Sequence, residues 1–481
     1  MSINHGVTIL EQATSVKPPV TATAAMPVFF GTAPVHRGGN PAAAVNRPIV
    51  CYSFAEAVSV FGYSEDWETW TLCEPMRRQF AAYSVSPAVF INVFDSSKGQ
   101  ATVPAADIPV INGKAVIETE LADLATLVVK PESSEPASEI GIDYLANYSA
   151  SGIDIIILAD GDLASAEDIS VVYKTVNPAL ITDSDVIGGV DISTGKRTGV
   201  ELVDEIFPKT RLVPGILAAP GWSHSIELSQ TLTAKARSIN SLFKCIAVVD
   251  VPESAGPTYR DVPLWKELSG LSSEHCILCW PRATLGERTL HLSTEITGLL
   301  GRTDYEMGDI PYASPSNRAL QIDGLSWLGN EVSQDQSQAN YLNGSGIMTA
   351  LNWIGGWRAW GNYTCAYPGS TDPKDMWIPV RRMFNWVANS IILSHWQRID
   401  LPIRSVLISD IETSVNLWFD GLTASGAILG GRCWADPSLN NELAIMNGKI
   451  SFRVYFTPPT PAQEIENILE YDPDYISALF T

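Results

Sequence analysis

Five short stretches carry residue types from which a reaction centre could be built. Gly189-Val190-Asp191-Ile192-Ser193-Thr194-Gly195-Lys196-Arg197 approximates a phosphate-binding loop, in which backbone N–H groups cradle phosphate and a hydroxyl after the lysine holds magnesium. The glycines are one residue too far apart, and Arg197 stands where the hydroxyl belongs. A turn ahead of a helix is the better reading. Gly221-Trp222-Ser223-His224-Ser225 follows an apolar strand and opens a helix, the place where an α/β hydrolase holds its nucleophile. Ser225 replaces the closing glycine of that elbow, and neighbouring Ser223 and His224 point apart. A serine there reads most simply as a helix N-cap. His275-Cys276-Ile277-Leu278-Cys279 holds one C-x-x-C, whereas zinc takes about four convergent ligands. In a strand the two thiols face opposite sides, so buried cysteines are expected. The pairs Asp160/Asp162 and Asp183/Asp185 lack the glycine and terminal glutamate of a calcium loop. The sequence therefore points to no catalytic, metal or cofactor site.

Composition narrows the function further. At 481 residues the chain is too long for one ordinary core, and its hydrophobic fraction of 46% is that of a folded protein. A net charge of −22 argues against nucleic acid or an anionic membrane surface as a partner. No apolar run is long enough to span a membrane and the first residues do not read as an export signal, so folding in a cytoplasm is expected. Seven scattered cysteines suit reduced, buried thiols better than a disulfide framework.

The elements that would position these residues form an α/β multidomain pattern. Apolar strands are predicted near 27–34, 48–53, 88–94, 212–220, 245–251, 276–280 and 290–293, with helices over 54–62, 71–83, 199–207 and 225–242 between them. Continuous apolar strands alternating with helices imply a core sheet buried on both faces, assigned to 21–94 plus 183–330. Residues 95–182 carry short punctuated strands and read as an inserted mainly-β domain. A C-terminal helical, α+β domain is assigned to 331–449, and extended strand arms to 1–20 and 450–481.

Tyr341 to Trp434 holds eight of the fourteen tryptophans and seven Lys/Arg against six Asp/Glu, near neutrality in an acidic chain. Apolar residues spaced by three and four predict helices over 381–393 and 411–424. Near the end, Ile450 to Thr457 alternates cleanly, with 450, 452, 454 and 456 on one face, before Pro458-Pro459-Thr460-Pro461 ends the strand.

Several of these stretches together resemble the tail sheath proteins of contractile-tailed bacteriophages and related contractile injection particles. They are His5 to Glu11, Val28 to Pro34 with Phe54 to Gly62, Asp185 to Gly221, Leu342 to Ile347, Gly356 to Asn362 and Phe452 to Pro459. Tyr363 stands where that family often has an arginine. The resemblance implies a non-enzymatic subunit with a strand-donating arm at each end, assembling with itself as stacked hexameric rings around an inner tail tube protein. It further implies baseplate and tail terminator partners, a place in a virion tail, and contraction that ejects the tube. Val7 and Ile9, and Phe452, Val454 and Phe456, are the expected inter-subunit arm residues. The near-neutral stretch is expected to face the tube, with Lys374, Arg381 and Arg382 as contacts. The rival reading is an α/β hydrolase-like enzyme with accessory domains.

Overall fold

The computed structural model of the chain describes residues 19–133 and 135–477. At its centre lies an eight-stranded sheet made of β1 (Pro27–Gly31), β2 (Ile49–Cys51), β3 (Ala88–Asn92), β4 (Ile216–Ala218), β5 (Ile246–Asp250), β6 (Cys276–Cys279), β7 (Ile347–Trp353) and β8 (Gly356–Trp360). The spatial order is β2-β3-β1-β4-β5-β6-β7-β8. Neighbours from β3 to β7 run parallel, and β2 and β8 close the two edges antiparallel. Alternating side chains feed two separate cores, Val28 and Phe30 entering one and Phe29 the other. This two-sided burial is why these strands read as unbroken apolar runs.

Helices fill the connections as expected, with local differences. The helix at Phe54–Phe61 ends at Gly62, whose φ of 71° no β-carbon could accompany without meeting the Pro34 carbonyl at 2.3 Å. The helix predicted to reach residue 242 stops at Arg237, because Asn240 and Ser241 adopt left-handed backbone that turns Phe243 into the core. The strand expected over 290–293 is instead a short strand, Arg288–Leu290, followed directly by helix α1 (Leu292–Glu306). Long-range polar contacts start that helix: Glu74 accepts from the His291 N–H, and Asp250 from the Ser293 N–H, each at 2.9 Å.

Residues 101–175 form two three-stranded antiparallel sheets around a separate small core that includes Ala115, Ile153, Ile155 and Val171. Strands β7 and β8, which the sequence placed in the 331–449 unit, complete the central sheet instead. The rest of that region supplies α2 (Ile378–His395) and α3 (Ser405–Ala424), and a two-stranded antiparallel sheet of β9 (Gly430–Ala435) and β10 (Phe452–Thr457). Among the described residues no helix is long and apolar enough to cross a membrane.

Helix α1 is nearly all buried, yet it carries charge. Arg78 donates to Glu295 from Nε and Nη2 and to the Gln321 carbonyl, while the Tyr83 hydroxyl donates to Glu295 Oε2 at 2.6 Å. At the far end Asp304 receives the Arg382 guanidinium from α2, Nη1 lying 2.9 Å from Oδ1. These pairs tie the first α/β segment and α2 to one central helix. Removing one member of a buried pair leaves the other uncompensated. Glu295→Ala is therefore expected to lower unfolding free energy by ~3–5 kcal/mol in urea titration. Adding Arg78→Met should recover part of that loss, because the unpaired charge is then gone.

Candidate assembly surface

The sites that looked reactive in sequence do not converge. Gly189–Val190 and Arg197–Thr198 pair as a small hairpin, and Asp191 caps its turn by accepting from the Ser193 and Thr194 N–H groups. Ser223 is 1% exposed and its hydroxyl sits against Asp250, while His224 bonds the Gly221 carbonyl. Cys276 packs into one core and Cys279 into the other, on opposite faces of β6. Asp185 closes a capping box with Thr182 rather than a cation loop.

What stands out instead is the β9–β10 hairpin on α2 and α3. Its inner face is apolar: Phe456 lies 4.4 Å from Phe384 of α2 and 5.8 Å from Phe419 of α3, centroid to centroid, and Trp386 faces Trp418 at 5.3 Å. Val454 and Phe452 join the same core. Each such contact between large rings adds about 0.5–1.5 kcal/mol beyond area burial. On the outer face Trp434 and Tyr455 stack at 5.1 Å, with the Arg432 guanidinium over both rings.

Edge chemistry follows from the register. In an antiparallel pair, opposite residues alternate between bonding each other and pointing their backbone groups outward. Cys433, opposite Val454, uses both backbone groups outside the hairpin: its N–H donates to Asn416 Oδ1 at 2.7 Å and its carbonyl accepts from Asn416 Nδ2 at 2.9 Å. The Ala435 N–H likewise donates to Glu412. The outer edge of β9 is thus covered by α3. By the same alternation Phe452, Val454 and Phe456 turn their N–H and C=O groups away from β9. No hydrogen-bond partner lies opposite them among the described residues.

The chain beyond β10 leads away from that edge. Pro458, Pro459 and Pro461 lack N–H groups and fix extended backbone. Residues 461–464 cross to a polar cleft of about 870 Å³ lined by Asn340, Trp360 and Tyr363. Past it the tail exposes apolar side chains, Ile465 at 76% and Leu469 at 94% among them.

The expected site residues divide accordingly. Val7 and Ile9 lie outside the described residues. Phe452, Val454 and Phe456 belong to the chain's own hairpin, packed on its own helices, rather than to an arm that leaves the body. Arg382 is 3% exposed and held by Asp304, and Arg381 is buried against Asp375 and the Phe384 ring. Both ion pairs lie inside the chain, which withdraws the guanidiniums from the surface, although the buried Arg381 Nε has no hydrogen-bond partner among the described residues. Lys374 is paired with Asp375 but remains partly exposed. Sequence reasoning missed Asn416 and Glu412; the available signal was an i, i+4 polar pair beside the apolar stripe of Ile411, Val415 and Phe419.

An eight-stranded core sheet, a mainly-β unit and a helix-backed hairpin make a mixed α/β fold that matches solved contractile sheath structures. The chain superposes on the contracted helical sheath of the anti-feeding prophage with a TM-score of 0.59, 15% identity and coverage of 98% of this chain and 99% of that one. The contracted sheath complex of an extracellular contractile injection system, PVC, gives 0.57 at 14% identity and 99% coverage of both. In sequence the chain is 27% identical to the tail sheath protein of Burkholderia phage BcepMu over 99% of this chain and 98% of that protein. It is 26% identical to the tail sheath protein of Escherichia phage P2 over 62% of this chain and 74% of that protein. No family model matches. The chain is thus similar in sequence to curated tail sheath proteins of phages.

Buried beside Arg381, His275 bonds the Cys245 carbonyl through Nδ1 at 2.7 Å. Burial, with Arg381 and Lys244 adding to it against the pull of Glu274, lowers its pKa from 6.5 to about 4. Between those values the unfolded chain binds a proton that the folded chain refuses. Stability is therefore expected to fall as pH drops from about 6.5 towards 5, this group contributing up to ~1.4 kcal/mol per pH unit. In thermal unfolding across that interval, His275→Gln should show the shallower dependence.

Proposed function

We propose that the chain polymerises by strand exchange into hexameric rings stacked helically around an inner tail tube, and contracts to drive that tube through a bacterial envelope. The observation that carries the reading is the β10 edge, which has no backbone partner among the described residues, beside a tail directed away from it. A strand from another copy, laid along Phe452 to Phe456, gains main-chain hydrogen bonds of ~0.5–1.5 kcal/mol each. Fixed register comes with them, because a one-residue slip would turn the apolar face of the incoming strand outward. The exposed Ile465 to Tyr471 segment and the N-terminal arm with Val7 and Ile9 are the donors.

Contraction needs no bond hydrolysis in this scheme. Subunits of a metastable lattice rotate and move outward, repacking their body contacts while the strand links persist. A gain of ~1–3 kcal/mol per subunit, the size of ordinary coupling energies, accumulates along a long sleeve. The near-neutral 341–434 region, with Lys374, faces the tube; baseplate and terminator proteins close the ends. Assembly takes place in the host cytoplasm and the product is part of a virion tail. A hydrolase reading loses its support with the burial of Ser223.

Val454→Pro tests the edge directly. It deletes an outward N–H while leaving the bonds of Arg453 and Tyr455 to β9 in place, the edge position that a sheet tolerates for proline. The variant is expected to stay folded by circular dichroism and to sediment as a small species, whereas Val454→Thr, which keeps the N–H, should polymerise. Polymers from Val454→Pro matching those of the parent would remove the edge from the account. Removing 458–481 should also abolish polymers; a cut at 450 would instead strip Phe456 from Phe384 and uncover the core.

A further inference from the structure

Acidic and apolar side chains alternate along the exposed tail. In extended backbone successive side chains face opposite ways, so Ile465, Leu469 and Tyr471 share one face and Glu464, Glu466 and Glu470 the other. Asn467 and Ile468 interrupt the two rows at one position each. All of residues 464–471 are exposed, and the chain there is neither helix nor strand. No Lys or Arg follows Arg453, so the tail carries no countercharge of its own.

The β9–β10 hairpin has two faces of matching character. Phe452, Val454 and Phe456 join the core beneath it, while Arg432, Trp434, Arg453 and Tyr455 stand on the outer face. Arg453 is held by Asp436. Arg432 is exposed and has no carboxylate partner among the described residues. It lies opposite Tyr455 in the register, and its guanidinium carbon is 5.4 Å from the centre of that ring. The cation thus reaches from β9 over the side chain of β10, the strand that an added partner would adjoin. A further strand lies ~4.8 Å from β10, with directly opposed side chains about 5 Å apart.

We infer that Arg432 selects the acidic row of a second copy's tail, Glu466 or Glu470 pairing with it on the outer face while Ile465, Leu469 and Tyr471 extend the apolar inner face. The inference rests on strand exchange at the β10 edge and adds which face of the donor turns inward. Each copy carries a net charge of −22, so laying three more carboxylates on it is repulsive unless a cation waits at the contact. Turned the other way, the strand would bury those carboxylates beside Phe452, Val454 and Phe456, a desolvation cost with nothing there to offset it. Arg432 is also pre-positioned: its guanidinium carbon lies 4.8 Å from the Trp434 ring centre, so little side-chain freedom is lost when the carboxylate arrives.

The test is the concentration at which the full-length chain polymerises, read by sedimentation across a salt series, with circular dichroism to show that each variant is folded. Arg432→Gln is expected to raise that concentration about fivefold at low salt. At ~1 M salt, where the screening length shrinks to about 3 Å, it should match the parent. Arg432→Lys, which keeps the charge, should stay close to the parent throughout. Arg432→Glu should polymerise least, and adding Glu466→Arg with Glu470→Arg should restore polymers, a rescue that a merely structural role would not show. Equal polymerisation of Arg432→Gln and the parent at every salt, or a loss in Arg432→Glu that the reversed tail does not repair, would overturn the selection. Val454→Pro separates the two levels. If it blocks polymers while Arg432→Gln does not, strand exchange stands and the charge selection falls; polymers from Val454→Pro, or none from the parent, remove both.

Discussion

A two-stranded sheet has two outer rows of backbone N–H and C=O groups and no further strand to pair them. In the β9–β10 hairpin one row is capped within the chain at Cys433, both of whose backbone groups bond Asn416, and at the Ala435 N–H, which donates to Glu412. The other row, at Phe452, Val454 and Phe456, is turned outward beside a firmly packed apolar face. Capping one edge leaves a single direction in which the sheet can grow. On the proposed strand exchange, self-assembly with a defined polarity follows from that asymmetry, and the chain after Thr457 leads away to the cleft lined by Asn340 and Tyr363.

Such an edge is useful only if its mount is stiff. Phe384, Trp386, Trp418 and Phe419 hold the hairpin on α2 and α3, and Arg382 joins α2 to Asp304 of the buried helix α1. The same α1 is bound to the first α/β segment through Arg78, Tyr83 and Glu295. Buried charges are weak contributors to net stability but costly to separate. On the proposed contraction they suit a part that transmits displacement from one end to the other without yielding inside.

Much of the fold was legible because it rests on local pattern. The runs at 27–34, 88–94 and 245–251 are strands buried on both faces, and 381–393 and 411–424 lie within α2 and α3. What stayed hidden depends on partners distant in sequence. Nothing near 290–293 announces a helix start, since the groups that satisfy it are Glu74 and Asp250, 217 and 43 residues away. The burial of Arg382 rests on Asp304, 78 residues earlier, so a basic pair on an amphipathic helix read as surface. The alternation of 450–457 correctly marked a strand, but whether it gives or receives a partner is set by its pairing with 430–435, which periodicity does not encode.

The most direct measurement is electron microscopy of the concentrated protein, alone and co-expressed with an inner-tube protein. Hollow cylinders or stacked rings with sixfold symmetry, with an added strand along Phe452 to Phe456 at higher resolution, are the result the account predicts. Compact monomers or dimers in both preparations would contradict it.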